Sequence, residues 1–151
     1  MGCFRAVAVA IALLGVGCRH AESPRERLAG LYVLQSINGA PIPAVASEGG
    51  GQRYTVLADS LLFDLDGNVR RSYRVRWIST TPPVIDTVYS QTFTIPYSIE
   101  QHQLTIGIRQ SCGPNANCVG WDEGTIDSRT ARVKSTMLWS GAPEFVFTRT
   151  E

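Results

Sequence analysis

Few residues of this chain carry side chains that could perform acid–base or nucleophilic catalysis. A Ser–His–acid triad would have to use His102, and no nucleophile elbow surrounds that residue. Two pairs of neighbouring carboxylates, Asp64 with Asp66 and Asp122 with Glu123, lie in or beside turn-forming sequence. Acids in such places are usually solvated or cap the backbone. We therefore predict that the protein is not an enzyme and uses no cofactor.

Two segments could in principle hold a metal ion. The segment DLDGN, residues 64–68, has the acidic spacing with which a calcium loop begins, but the helix and closing Glu of an EF-hand are missing. Its Asp-Gly is better interpreted as a hairpin turn. Cys112 and Cys118 enclose turn-forming sequence, and an even pair of cysteines in an exported chain favours a disulfide over a metal site. No metal site is expected.

Positive charge is concentrated in VRRSYRVRWI, residues 69–78. Alternate residues of a strand share a face, so Arg70, Arg74 and Arg76 would form a positive stripe. The stripe could contact an anionic surface. The balanced net charge instead favours a solvated face whose arginines pair with acids of a neighbouring strand, such as Asp59.

Arg71 lies on the opposite face of this strand, with Val69, Tyr73 and Trp77. Because an unpaired buried charge is costly, Arg71 would either anchor a ligand at the mouth of the domain or extend to solvent near Gly67. The second interpretation is favoured. The candidate ligand-binding residues are Arg71, Tyr73 and Trp77.

Composition and charge restrict the class of protein. Hydrophobic residues make up 44% of the 151 residues and charged residues 18%, which is typical of a globular chain of one domain. Fourteen basic and 13 acidic residues give a net charge of +1. Such a balance argues against a nucleic-acid binder, which needs clustered positive charge.

The N-terminus predicts export and lipidation. After Arg5, residues 6–17 are apolar or small, which is too short for a membrane-spanning helix but is the length of a secretory h-region. The ending LLGVGC resembles a bacterial lipobox. This resemblance implies that Cys18 is acylated and anchors the protein to a membrane.

The expected organisation follows from that anchor. Residues 1–17 would be a lipoprotein signal peptide, residues 18–27 a flexible lipidated tether, and residues 28–151 a single domain. The residue after the lipidated cysteine, Arg19, is not the Asp that favours inner-membrane retention. The expected location is therefore the periplasmic side of the bacterial cell envelope, at the outer membrane.

The sequence of residues 28–151 predicts short strands joined by tight turns. The first strand covers residues 31–37 and is ended by NGAPIP, and a later strand covers residues 130–139. About eight strands in sequential hairpins predict an all-β fold. The favoured form is a single antiparallel up-and-down β-barrel, with a sandwich as the alternative.

Four segments, in this order, resemble small bacterial lipocalin-like (calycin-type) lipoproteins: LAGLYVLQSINGAPIPA, LLFDLDGNV, QTFTIPYSIEQHQLTI and FVFTR. The resemblance covers about residues 28–149 and implies a lipocalin-like barrel. Lipocalins open with Gly-x-Trp and pack a late Arg over that Trp. The counterparts here are Gly30, Tyr32 and Arg149, which implies that Arg149 lies on Tyr32 where the first and last strands close the barrel.

The expected function is a binding or structural module of the envelope, monomeric, whose ligand would be small and apolar. The alternative is a protein–protein effector. That alternative would resemble bacterial lysozyme-inhibitor lipoproteins, which are also small lipidated barrels with a disulfide. Its contact element would be the loop from Cys112 to Cys118.

Overall fold

The computed structural model describes residues 23–108 and 120–151, which are almost entirely β-structure. Among these residues, no helix has the length and apolarity needed to cross a membrane. The elements are α1 (Pro24–Leu28), β1 (Gly30–Ile37), β2 (Ala40–Pro41), β3 (Ala44–Gly49), β4 (Gln52–Phe63), β5 (Asn68–Ser79), β6 (Ile85–Glu100), β7 (Gln103–Ile106), β8 (Asp122–Ile126), β9 (Thr130–Lys134) and β10 (Glu144–Arg149).

Eight antiparallel strands close into a barrel. From β4 to β10 each strand pairs with the next in sequence, and β1 joins the two ends by pairing with β10 on one side and β4 on the other. The short strands β2 and β3 extend the sheet outside this ring. The predicted all-β, up-and-down barrel is confirmed. Closure leaves the short strands β2 and β3 as the edges of the described sheet.

The two prolines of NGAPIP predict that the chain leaves the sheet after β1, and this prediction is wrong. Asn38 and Gly39 both have positive φ, 49° and 81°, as a two-residue hairpin requires. The chain therefore folds straight back, and Pro41 pairs with Ser36 instead of leaving the sheet. Pro41 is tolerated because β2 is an edge strand, where a missing N–H costs no ladder hydrogen bond.

One end of the barrel is packed shut, and we call it the closed end. Ser23 and Glu26 form a capping box that begins α1, which lies within the segment expected to be a tether. Leu28 of α1 is buried in the core. Beside it, the ring of Phe63 meets Tyr32 edge-on at 5.4 Å and Tyr97 at 4.9 Å between ring centroids. Aromatic side chains thus fill this half of the interior.

The opposite end, which we call the mouth, carries the β3–β4 and β5–β6 turns and the segment between β9 and β10. Strand β5 runs from the closed end to the mouth. The predicted assignment of its two faces is confirmed: Val69, Arg71, Tyr73 and Val75 are buried, and Arg70, Arg74 and Arg76 are exposed.

Candidate functional site

A buried ionic cluster lies inside the barrel and consists of Arg71, Asp59, Asp122 and Ser135. The guanidinium of Arg71 binds Asp59 through Nε (3.0 Å to Oδ2) and Nη2 (2.6 Å to Oδ2). Its Nη1 donates to Asp122 Oδ2 at 2.9 Å and to Ser135 Oγ at 3.3 Å. Arg71 is only 1% exposed. The expectation that this side chain extends to solvent is therefore wrong.

A β-bulge brings Asp59 into this cluster. The register of β4 against β5 shifts between Val56 and Ala58, so inward-facing residues change from even numbers, such as Tyr54, to odd numbers, such as Leu61. A one-residue shift moves every later side chain to the other face of a strand. Asp59 consequently points inward and pairs with Arg71. The expectation that it pairs with the outer arginine stripe is wrong.

The prediction that Asp122 is a solvated acid near a turn is also wrong. It is fully buried at the start of β8. Ser135 Oγ donates to its Oδ2 at 3.0 Å, and the backbone N–H of Met137 donates to its Oδ1 at 2.9 Å. Together with Arg71, these donors satisfy both oxygens of the buried carboxylate.

The electrostatics of the cluster follow from two carboxylates sharing one guanidinium. Burial raises the pKa of Asp59 above its ordinary value, although the charge and hydrogen bonds of Arg71 oppose this shift. Burial alone would lower the pKa of Arg71, but Asp59 and Asp122 outweigh it and raise that pKa. Arg71 thus stays cationic, while Asp59 takes up a proton more readily than a solvated aspartate.

Aromatic side chains stack from the cluster toward the mouth. The guanidinium carbon of Arg71 lies 5.3 Å from the centre of the Phe145 ring, within the range of a cation–π contact. On Phe145 stacks Trp139, at 6.4 Å between centroids and 17° between planes. This column connects the buried charge to the open end of the barrel.

A cavity of about 310 Å³ opens at the mouth, and we call it the mouth cavity. Aromatic side chains dominate its lining, and two serine hydroxyls, 2.6 Å apart, complete it. The lining residues include Ser47, Tyr54, Tyr73, Tyr89, Trp139 and Ser140.

Trp139, on this lining, was predicted to lie in a strand, but β9 ends at Lys134. The backbone leaves the sheet there because buried Asp122 accepts from Ser135 and Met137, which replaces ladder pairing by side-chain hydrogen bonds. Trp139 then folds over the barrel and is 6% exposed. The sequence does not predict that the strand ends at Lys134, since TARVKSTMLW alternates like a single strand.

The predicted ligand-binding residues occupy three different positions. Tyr73 lines the mouth cavity. Arg71 lies beneath it in the ionic cluster. Trp77 stands outside the lining and stacks flat on Tyr54, at 6.1 Å and 3°. Sequence reasoning missed Trp139, Tyr54 and the carboxylates that neutralise Arg71.

The predicted barrel-closure residues lie together at the closed end. Tyr32 pairs with Arg149 across β1 and β10. The guanidinium of Arg149 donates to the backbone carbonyls of Arg27, at 2.8 Å, and Ala29, at 2.7 Å. A Cβ on Gly30 would come within 3.0 Å of the Arg149 side chain. Arg149 therefore ties the last strand to α1 and to the residue that follows it.

The described part of the chain contains no metal site at the segment DLDGN, residues 64–68. In the β4–β5 hairpin turn, Asp64 accepts from the backbone N–H of Asn68 at 2.7 Å. Residues 23–108 and 120–151 hold no group of three side chains positioned to ligate a metal. The predicted lipidation site Cys18 and the predicted pair Cys112 and Cys118 lie outside the described residues.

A larger groove, of about 530 Å³, runs along β6 and β7 on the outside of the barrel. It borders Ile108, after which the described residues stop. Because its lining is incomplete in the described part of the chain, we base no site on it.

These observations define the class of the protein as a closed, eight-stranded antiparallel β-barrel with a buried ionic cluster and an aromatic cavity at one end. Comparisons with protein-family models, with curated proteins and with solved structures found no match.

Proposed function

We propose that the protein is a lipid-anchored, lipocalin-like binding module of the bacterial cell envelope, which takes a small and largely apolar ligand. The observation that carries the proposal is the mouth cavity. Ligand sites are concave and lined mainly by aromatic and aliphatic side chains with a few polar groups, and five of the seven described lining residues of this cavity are aromatic or aliphatic. Eight-stranded barrels have room for one small ligand at most.

The size of the cavity limits the ligand. About 310 Å³ lies at the lower end of the range of about 300–1,000 Å³ that is usual for ligand pockets. Side chains such as Phe63 and Phe147 fill the closed half, so the ligand would occupy the mouth and not the length of the barrel. We therefore expect a compact molecule, in contrast to a long acyl chain.

The proposed lipid anchor on Cys18 would determine how the mouth cavity is oriented relative to the membrane. The chain enters the barrel through α1 at the closed end, and Ser23 comes five positions after Cys18. A fully extended chain of that length spans about 17 Å. A lipid on Cys18 would hold the closed end near the membrane, so the ligand would enter the mouth from the aqueous side.

The test is titration of the full-length protein with N-phenyl-1-naphthylamine, an uncharged aromatic probe whose fluorescence rises in apolar surroundings. We expect saturable binding of one probe per barrel. Replacing a cavity wall by Tyr89→Ala should weaken that binding about tenfold, since an aromatic contact surface is lost.

The matched control is Val88→Ala, the adjacent residue on the outer face of β6, which is 45% exposed. It should leave the probe affinity unchanged. Absence of saturable binding, or equal loss in the two variants, would overturn the assignment of the mouth cavity.

A further inference from the structure

Four aromatic rings stand around the mouth cavity as walls. Tyr54 contacts Trp139 at 5.9 Å between centroids, Trp139 contacts Tyr73 at 6.2 Å, and Tyr73 contacts Tyr89 at 6.3 Å. Their planes are inclined to one another by 60°, 67° and 77°. These are edge-to-face or tilted contacts between neighbouring rings, and all four rings line the mouth cavity, so several π-systems border it.

The charges around this space favour a cation over an anion. None of the described residues that line the cavity is charged, so an anion would have no counter-charge there. The guanidinium of Arg71, in the ionic cluster, is already bound by Asp59 and Asp122, and with both carboxylates ionised the cluster carries one excess negative charge. The faces of aromatic rings carry a negative electrostatic potential, which attracts a cation.

The hydrogen-bonding groups of the lining restrict which kind of cation the mouth cavity could bind. The hydroxyls of Ser47 and Ser140 bond each other, and those of Tyr54 and Tyr73 donate to glutamine side chains. A primary ammonium would exchange its hydration for neutral hydroxyl oxygens alone, because the described lining residues include no carboxylate, and this exchange is costly. A nitrogen whose charge is spread over methyl groups needs no acceptors and can contact ring faces directly.

We propose that the mouth cavity recognises a small organic cation with a methylated nitrogen, held by Tyr54, Tyr73, Tyr89 and Trp139. The proposal rests on the proposed function of the same cavity and specifies its ligand class.

Two probes of the same shape test whether a positive charge on the ligand strengthens its binding. Benzyltrimethylammonium and neopentylbenzene differ in having a positive nitrogen or a carbon at the branch point. By NMR titration of the full-length protein, we expect the cation to bind about tenfold more tightly than the hydrocarbon. Equal or tighter binding of neopentylbenzene would overturn the inference and leave the proposed function standing. Binding of neither probe would overturn both.

A second pair of measurements tests the rings and the ligand source. In Tyr89→Leu, which keeps an apolar wall without a π-face, the preference for the cation should fall while neopentylbenzene still binds. Val88→Ala should keep the preference. Choline should bind more tightly than phosphocholine, because none of the described lining residues is a cation that could pair with a phosphate. An unchanged preference in Tyr89→Leu, or phosphocholine as the tighter ligand, would contradict the inference.

Discussion

Replacing Arg71 by Met should destabilise the barrel strongly at neutral pH. Methionine retains much of the volume of arginine, so the principal loss is the guanidinium. Asp59 and Asp122 would be left inside the barrel with no counter-charge. Breaking a buried ion pair by removing one partner costs about 3–5 kcal/mol, out of about 5–15 kcal/mol of total stability for a domain.

The loss should depend on pH in a defined direction. Without Arg71 the buried carboxyl of Asp59 would be driven further toward its protonated form, so its folded-state pKa would lie further above the unfolded value. Groups raised in this way stabilise the fold below their unfolded pKa, and that contribution is lost as the pH rises through the folded pKa. The deficit of Arg71→Met should therefore be smaller at about pH 5 than at about pH 7.5.

The assay is urea unfolding followed by tryptophan fluorescence, and the matched control is Arg76→Met. Arg76 lies on the same strand and also places Nη2 2.6 Å from a carboxylate, that of Asp86, but its side chain is 48% exposed. The control should barely change the unfolding midpoint, because exposed ion pairs are screened by water. Equal destabilisation of the two variants, or a deficit that grows in acid, would refute the reasoning.

Two further variants test individual groups. Because burial raises the pKa of Asp59 above its ordinary 3.8, wild-type stability includes a contribution that is present below that value and declines as the pH rises through the folded pKa. The stability gap between wild type and Asp59→Asn should therefore narrow from acid to neutral pH in urea unfolding, and a widening gap would contradict the assignment. Arg149→Ala should lower the melting temperature, since it removes two charge-assisted hydrogen bonds to the carbonyls of Arg27 and Ala29, at a cost of about 1–3 kcal/mol. Unchanged melting of that variant would show that these bonds do not tie the last strand to α1.

Local patterns in the sequence were sufficient for the barrel and for the faces of its regular strands. In β5 the alternation is uninterrupted, so parity alone places Arg71 inside and Arg70 outside. Parity could not predict the partners of Arg71, since Asp59 and Asp122 lie 12 and 51 residues away along the chain. Their proximity depends on which strands become neighbours after closure.

The errors at the site have two physical sources. A bulge in β4 changes parity, and no residue type at Val56 or Ala58 demands it. The other source is the competition between sheet pairing and side-chain hydrogen bonds at Ser135, where bonding to Asp122 ends the strand and releases Trp139. Both depend on tertiary contacts, which the pattern of neighbouring residues in the sequence does not reveal.

The ionic cluster explains why one barrel register is preferred over its neighbours. Apolar packing tolerates small displacements, whereas the hydrogen bonds of Arg71 to Asp59, Asp122 and Ser135 are directional and join β4, β5, β8 and the end of β9. A slip of one residue would turn one of these groups outward and leave an unpaired charge inside. The same bonds place Trp139 over the mouth, through Asp122 and the chain after β9. The residues that select the register therefore also shape the cavity, and a variant that loosens the cluster should weaken ligand binding even where no lining residue has changed.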